Sequence, residues 1–128
     1  MPELPEVETI VRALQYGGRG APGIPGRQVE SLRLLWPRTL AEPSEAELLQ
    51  RLPGQSVQRI SRRAKLIQIH FERDTLLIHL RMSGDLRVEP VTADVQKHDR
   101  LLIQFGDGLR LAFNDTRKFG RVWLTSDP

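Results

Sequence analysis

The sequence predicts a mainly β domain with flanking helices. The expected form is an antiparallel β-sandwich or flattened barrel of about eight strands plus an N-terminal helix. Three observations predict it. Leu4, Val7, Ile10, Val11 and Leu14 recur at helical spacing at the start of the chain. From Gln55 onward the apolar pattern changes to period two. The alternating segments are separated by turn signals rather than by further helical segments.

The elements follow in order. Residues 5–15 read as an amphipathic helix, with Pro5 suited to the first turn, where no N–H is needed. Glu6 and Glu8 sit in that turn and favour the helix dipole, and Gly17-Gly18 ends the helix. Residues 17–26, rich in glycine and proline, read as a mobile surface loop with Arg19 inside it. Gln28 to Trp36 is a predicted strand. Ser44-Glu45-Ala46-Glu47 is a capping box before Leu48, Leu49 and Leu52, and Pro53-Gly54 stops that short helix. Ile67, Ile69 and Phe71 alternate with polar residues, and a second strand carries Leu76, Ile78 and Leu80. Leu101–Phe105 and Leu109–Phe113 flank Gly106-Asp107-Gly108, a hairpin signal, and Gly120–Thr125 is a final strand.

Bulk composition bounds the function. The chain has 128 residues, 39% hydrophobic and 27% charged, which is one domain of ordinary globular character. No apolar run is long enough to span a bilayer, and the acidic start is unlike a secretory leader, so a cytoplasmic address is the default expectation. With no cysteine there is no disulfide, thiolate nucleophile or Cys-based zinc site in these residues. His70, His79 and His98 are too scattered to suggest a metal site by spacing. A net charge of +3 and a pI near 9.9 make a polyanion a plausible partner. Residues 51–65 hold Arg51, Arg59, Arg62, Arg63 and Lys65 with no acid. That run reads either as a polyanion-binding segment or as a solvated strand edge blunted by charge.

The opening Met-Pro-Glu-Leu-Pro-Glu-Val-Glu carries the most chemistry. Removal of Met1 leaves Pro2 with a secondary α-amine, whose ordinary pKa of about 8 contrasts with roughly 10.4 for lysine. Part of it is neutral and nucleophilic at physiological pH. Glu3, Glu6 and Glu8 follow closely, and an amine beside carboxylates suits Schiff-base chemistry on a sugar carbon with proton transfers. The same octet also reads simply as a well-started helix. Met82 and Phe119 each place a bulky apolar side chain in a turn-like segment. They read either as exposed wedges that enter a base stack or as caps on the open end of the sandwich. Arg117, two residues before Phe119, suits the space left by an extruded base.

These segments occur in a recognisable order: the N-terminal run, Arg62-Arg63-Ala64-Lys65, His79-Leu80-Arg81-Met82-Ser83-Gly84, Lys97-His98-Asp99, and Asp115-Thr116-Arg117-Lys118-Phe119-Gly120. Over nearly its whole length the chain resembles the N-terminal catalytic domain of the formamidopyrimidine-DNA glycosylases. The resemblance implies base-excision repair by a bifunctional DNA glycosylase and AP lyase that removes oxidised purines, 8-oxoguanine and formamidopyrimidines. Pro2 would be the nucleophile at C1′, with the iminium resolved by β,δ-elimination. Glu3 would handle protons at the sugar, Glu6 would support the same site, and Lys65 would approach the adjacent phosphate. Met82, Arg117 and Phe119 match the trio that fills the void left by the extruded base. His79 and His98 match positions that contact the DNA backbone, although His79 equally reads as a satisfied strand histidine.

The implied partner is double-stranded DNA containing oxidised bases or abasic sites, bound by a monomer with no membrane association. The endonuclease VIII branch, which removes oxidised pyrimidines, is less similar, because Leu4 and the Arg117–Phe119 loop depart from its pattern. A non-catalytic DNA-binding module using residues 51–65 is the remaining alternative. Members of the family are longer, with a helical half and a zinc finger held by four cysteines. The chain therefore reads as an isolated N-terminal domain, residues 1–128, with no cofactor of its own and little activity alone. The one zinc is expected in the finger that these residues lack. The 17–26 loop is longer than the usual connection, with nothing that links it to chemistry.

Overall fold

The computed structural model describes residues 2–126. Two helices, α1 (Leu4–Tyr16) and α2 (Glu45–Arg51), accompany nine strands among these residues. The strands are β1 (Val29–Leu34), β2 (Leu40–Glu42), β3 (Val57–Arg63), β4 (Leu66–Phe71) and β5 (Thr75–His79). They continue with β6 (Gly84–Pro90), β7 (Asp99–Phe105), β8 (Leu109–Asp115) and β9 (Arg121–Thr125). One sheet has the order β1-β7-β8-β6 and the other β2-β9-β5-β4-β3. This is the mainly β, two-sheet architecture the alternation predicts, open rather than closed into a barrel. One pairing departs from the antiparallel expectation. The short β2 runs parallel to β9, after a 3-10 turn at Pro37–Thr39.

Each apolar pattern finds its partner. Val7, Ile10, Val11 and Leu14 form the buried stripe of α1, which packs against β3. The helix starts at Leu4, so Pro5 is one position later than predicted, still where no intrahelical N–H is required. Ile67, Ile69, Leu76, Ile78, Val122 and Leu124 pave the five-stranded sheet, while Leu86, Leu101, Ile103, Phe105, Leu111 and Phe113 pave the other. Fully burying one such side chain is worth about 1.5–3 kcal/mol, so this common core dominates the stability. The Ser44 hydroxyl caps α2 by accepting from Glu47 N at 3.2 Å, as the capping box predicts.

β3 is an edge strand, and α1 guards it. The Gln15 side-chain oxygen accepts the Ile60 backbone N–H at 2.6 Å. Arg59, Arg62 and Arg63 lie exposed along the strand, so the basic run does blunt a sheet edge. The 17–26 loop corrects an expectation of mobility. Ile24 is fully buried, its N–H donates to Leu14 O at 2.8 Å, and Gly18 and Ala21 exchange backbone hydrogen bonds. Glycine-rich composition masked one apolar anchor. His70 is half-buried, with Nε2 2.8 Å from the Ser61 hydroxyl.

A charged network braces β6, β7 and β8. Arg87 binds Asp99 through both terminal nitrogens, at 2.8 and 2.7 Å, and also engages Glu89. Arg110 pairs with Glu89, while Asn114 and the Gln96 backbone N–H donate to Asp99. Burial pushes the Asp99 carboxyl up, but hydrogen bonds from Arg87, Asn114 and the Gln96 backbone outweigh it and hold it below the usual range. Glu89 is likewise held low by Arg87 and Arg110 against its burial. The network pins the segment 91–98, which presents Lys97 and His98.

Candidate catalytic cleft and nucleic-acid interface

The N-terminal octet opens into a cleft of about 600 Å³ lined by Pro2, Glu6, Thr9, Ile10, Arg19, Met82, Ser83, Gly84 and Asp85. Of the octet's three acids, only Glu6 lines it. Glu3 is the extended residue before α1, its carbonyl accepting Val7 N–H at 2.9 Å. Its side chain does not cap the helix. It turns instead to Lys65, with Nζ 3.5 Å from Oε2. Residues 62 positions apart in sequence are thereby neighbours beside Pro2. Glu8 has a different task from either. It joins Arg12 and Arg62, whose hydrogen bonds hold its carboxyl below the ordinary value, and so ties the helix to β3.

Two turns carry the apolar candidates. Met82 is 45% exposed and Phe119 52%, so about half of each side chain faces solvent. Large apolar side chains held in water at adjacent turns are the arrangement a wedge needs. Asp115, at the end of β8 and 1% exposed, joins the two turns. Its Oδ1 accepts the Ser83 hydroxyl at 2.5 Å and Arg117 N–H at 3.3 Å, while Oδ2 accepts Gly120 N–H at 2.7 Å. The Ser83 oxygen also accepts Arg117 N–H at 3.0 Å. Beneath both turns lies one ring. A Cβ on Gly84 would stand 2.8 Å from Phe113 Cε1, and one on Gly120 would stand 2.4 Å from Phe113 Cζ. Outside them, the Lys118 ammonium sits 4.1 Å from the centroid of Trp36.

A backbone regularity links three of the candidates. Ala64, Arg81 and Lys118 have φ of +52°, +56° and +62°, and each immediately precedes a candidate: Lys65, Met82 and Phe119. Left-handed geometry costs a non-glycine residue roughly 1–2 kcal/mol and concentrates where side chains must be aimed. Spacing alone does not reveal this.

The histidines are positioned without forming one cluster. His79 Nδ1 accepts Arg81 N–H at 3.0 Å, which leaves its proton on Nε2 in the neutral ring. Burial, then the charges of Arg81 and Lys65, push its pKa down. The His98 carbonyl accepts Asp115 N–H at 2.9 Å, and its Nδ1 lies 3.3 Å from Arg100 Nη2. Sequence reasoning missed Asp115 as a scaffold and Arg19 and Asp85 as cleft residues. An aspartate opening a turn was the available signal for the first; the other two meet only through tertiary contact. Among the described residues no three His, Asp or Glu side chains group as a metal site, and the residues present supply no four-cysteine zinc ligand set.

Residues 1–122 match the family model described as formamidopyrimidine-DNA glycosylase N-terminal domain. A formamidopyrimidine-DNA glycosylase of Chloroflexus aurantiacus is 45% identical over 127 residues, covering 97% of this chain and 43% of that protein. The Ligilactobacillus salivarius protein of the same name is 38% identical over 125 residues, covering 97% and 43%. The chain thus spans less than half the length of the curated relatives it matches. Among solved structures, Lactococcus lactis Fpg bound to abasic-site DNA superposes with a TM-score of 0.87 at 36% identity, covering 98% of this chain and 44% of that one. The same enzyme bound to FAPY-dG DNA gives a TM-score of 0.87 at 36% identity, with the same coverage.

Proposed function

This chain belongs to the formamidopyrimidine-DNA glycosylase N-terminal domain family, and from that premise we propose that it is the catalytic half of a bifunctional glycosylase and AP lyase acting on oxidised purines in duplex DNA. The observation that carries the reading is one cleft lined by Pro2, Glu6 and Met82, with Lys65 held at Glu3 beside it. Binding of lesion and abasic DNA by the Lactococcus relatives supports the same partner here.

The chemistry follows from the groups present. Once Met1 is removed, the Pro2 nitrogen attacks C1′ as the bond from C1′ to the base breaks, and the departing base takes up a proton. Glu3 takes the proton that the Pro2 nitrogen releases as its bond to C1′ forms and passes it to the ring oxygen as the sugar opens, which leaves an iminium between Pro2 and C1′. Loss of a C2′ proton then expels the 3′ phosphate, and a second elimination expels the 5′ phosphate. Lys65 offers a cation to the neighbouring phosphate. Base extrusion costs a few kcal/mol of unstacking, which Met82, Phe119 and the Arg117 guanidinium offset by occupying the vacated space. Neutral His79 and the segment bearing His98 serve as backbone contacts. The residues present include no cysteine for a zinc finger, and no step here passes through a metal.

The test is borohydride reduction on 8-oxoguanine duplex with the complete enzyme, its Met1 removal verified by intact mass. A covalent adduct through Pro2 is the expected result. Its absence from correctly processed protein refutes the assignment, and a lesion panel separates oxidised purines from oxidised pyrimidines. Residues 1–128 alone should bind DNA weakly and turn over little, since the relatives contribute a further half.

A further inference from the structure

The segment that joins α1 to β1 reaches the cleft through one arginine. Gly18, Arg19, Gly20 and Ala21 form a tight two-residue turn closed by hydrogen bonds between Gly18 and Ala21 at 2.9 and 3.1 Å. Both central residues are left-handed, with φ of +55° at Arg19 and +81° at Gly20. Glycine is at home there. Arginine is not, and asparagine or glycine is the common occupant of its position. The long side chain is nonetheless held in a defined pose. Nη1 donates to Asp85 Oδ1 at 3.0 Å and to the Leu86 carbonyl at 2.9 Å, and Nη2 donates to Asp85 Oδ2 at 3.0 Å.

Those bonds use three of the five guanidinium hydrogens, leaving Nε–H and one Nη2–H. Arg19 and Asp85 line the cleft that Pro2 and Met82 line. Both side chains are partly exposed, at 40% and 46%, so the pair adds little to stability. A strained, oriented and energetically cheap arginine at a reactive cleft is arranged for a ligand.

We propose that Arg19 is a lesion-contacting specificity residue, donating from its remaining N–H groups to a carbonyl oxygen of the extruded oxidised purine. Oxidation at C8 gives the purine a second carbonyl oxygen, and ring opening gives it a formyl oxygen, so the donors match the chemistry that marks the damage. Asp85 holds the fork in place and offers its outer lone pairs to base N–H groups. This inference rests on the glycosylase reading above, and it concerns the base rather than the sugar.

That distinction sets the test. In the complete enzyme, Arg19→Ala and Arg19→Lys are compared with the unaltered protein on two duplexes, one carrying 8-oxoguanine and one carrying a preformed abasic site. The abasic strand has no base for Arg19 to meet. The expected result is a kcat/KM loss on the lesion strand about tenfold greater than on the abasic strand, the size of one hydrogen bond to a charged donor. Lysine should restore little, because it cannot grip Asp85 and donate to the base at once. Equal losses on both strands, or no loss on either, overturn the proposal. If the unaltered enzyme cleaves neither strand, the glycosylase reading itself falls and the role of Arg19 falls with it.

Discussion

Asp115 is the residue whose replacement most directly tests how the turns bearing Met82 and Phe119 are held. Its carboxylate takes the Ser83 hydroxyl and Arg117 N–H on one oxygen and Gly120 N–H on the other. In Asp115→Asn, the amide oxygen can keep the first two contacts only by aiming its NH2 at Gly120 N–H, donor against donor. One buried N–H then loses its partner, at a cost of about 1–3 kcal/mol. Asp115→Ala removes all three contacts and should cost about 3–5 kcal/mol, less than the sum because the turns lie near solvent. Against a total stability of roughly 5–15 kcal/mol, the alanine variant approaches the threshold and asparagine is the informative change. Urea titration of residues 1–128 should show the asparagine loss, and heating should show a midpoint lower by roughly 4–10 °C. Amide hydrogen exchange should quicken at Arg117 and Gly120 more than in β4 or β5. A stability change under about 0.5 kcal/mol, or unchanged exchange at those two amides, refutes the claim that this carboxylate sets the turns.

Three further outcomes follow. Asp99 and Glu89 have folded-state pKa values held below their ordinary values of 3.8 and 4.5, so their stabilisation is full above those values and is lost as pH falls below them. Unfolding free energy measured from pH 7 to pH 3 should fall along an acid limb, and Asp99→Asn should lower the plateau and flatten that limb. Phe119→Ala and Met82→Ala should leave stability within about 0.5 kcal/mol, since both side chains are exposed, while weakening lesion-duplex binding by the complete enzyme about tenfold. Lys65→Ala should likewise be thermally silent, because its pair with Glu3 is partly exposed, yet should cut the yield of borohydride-trapped adduct.

Local signals were legible where neighbours in sequence share a face. The α1 stripe, the α2 capping box and the Gly106–Gly108 hairpin all required only short-range patterning. The candidates Pro2, Glu6 and Met82 were also readable as residue types, and the cleft brings them together. What escaped was set by distant contacts. β2 is three residues long and owes its existence to β9, some eighty positions later. Ile24 looked like part of a mobile loop because glycines and prolines surround it, although its burial decides the loop's path. Asp85 became meaningful only when a turn 66 positions earlier delivered Arg19 to it.

The ring of Phe113 beneath Gly84 and Gly120 has a consequence for descent as well as for shape. Two turns that rest on one side chain cannot vary as independent characters. A lineage that replaces either glycine must shift the ring, and at position 84 the Leu80 carbonyl oxygen 2.6 Å away as well, so the second replacement meets a site already altered. The two substitutions should show epistasis, with the order of their arrival deciding which is tolerated. Inheritance therefore acts on the turns bearing Met82 and Phe119 as a single trait, with position 113 as its hidden locus.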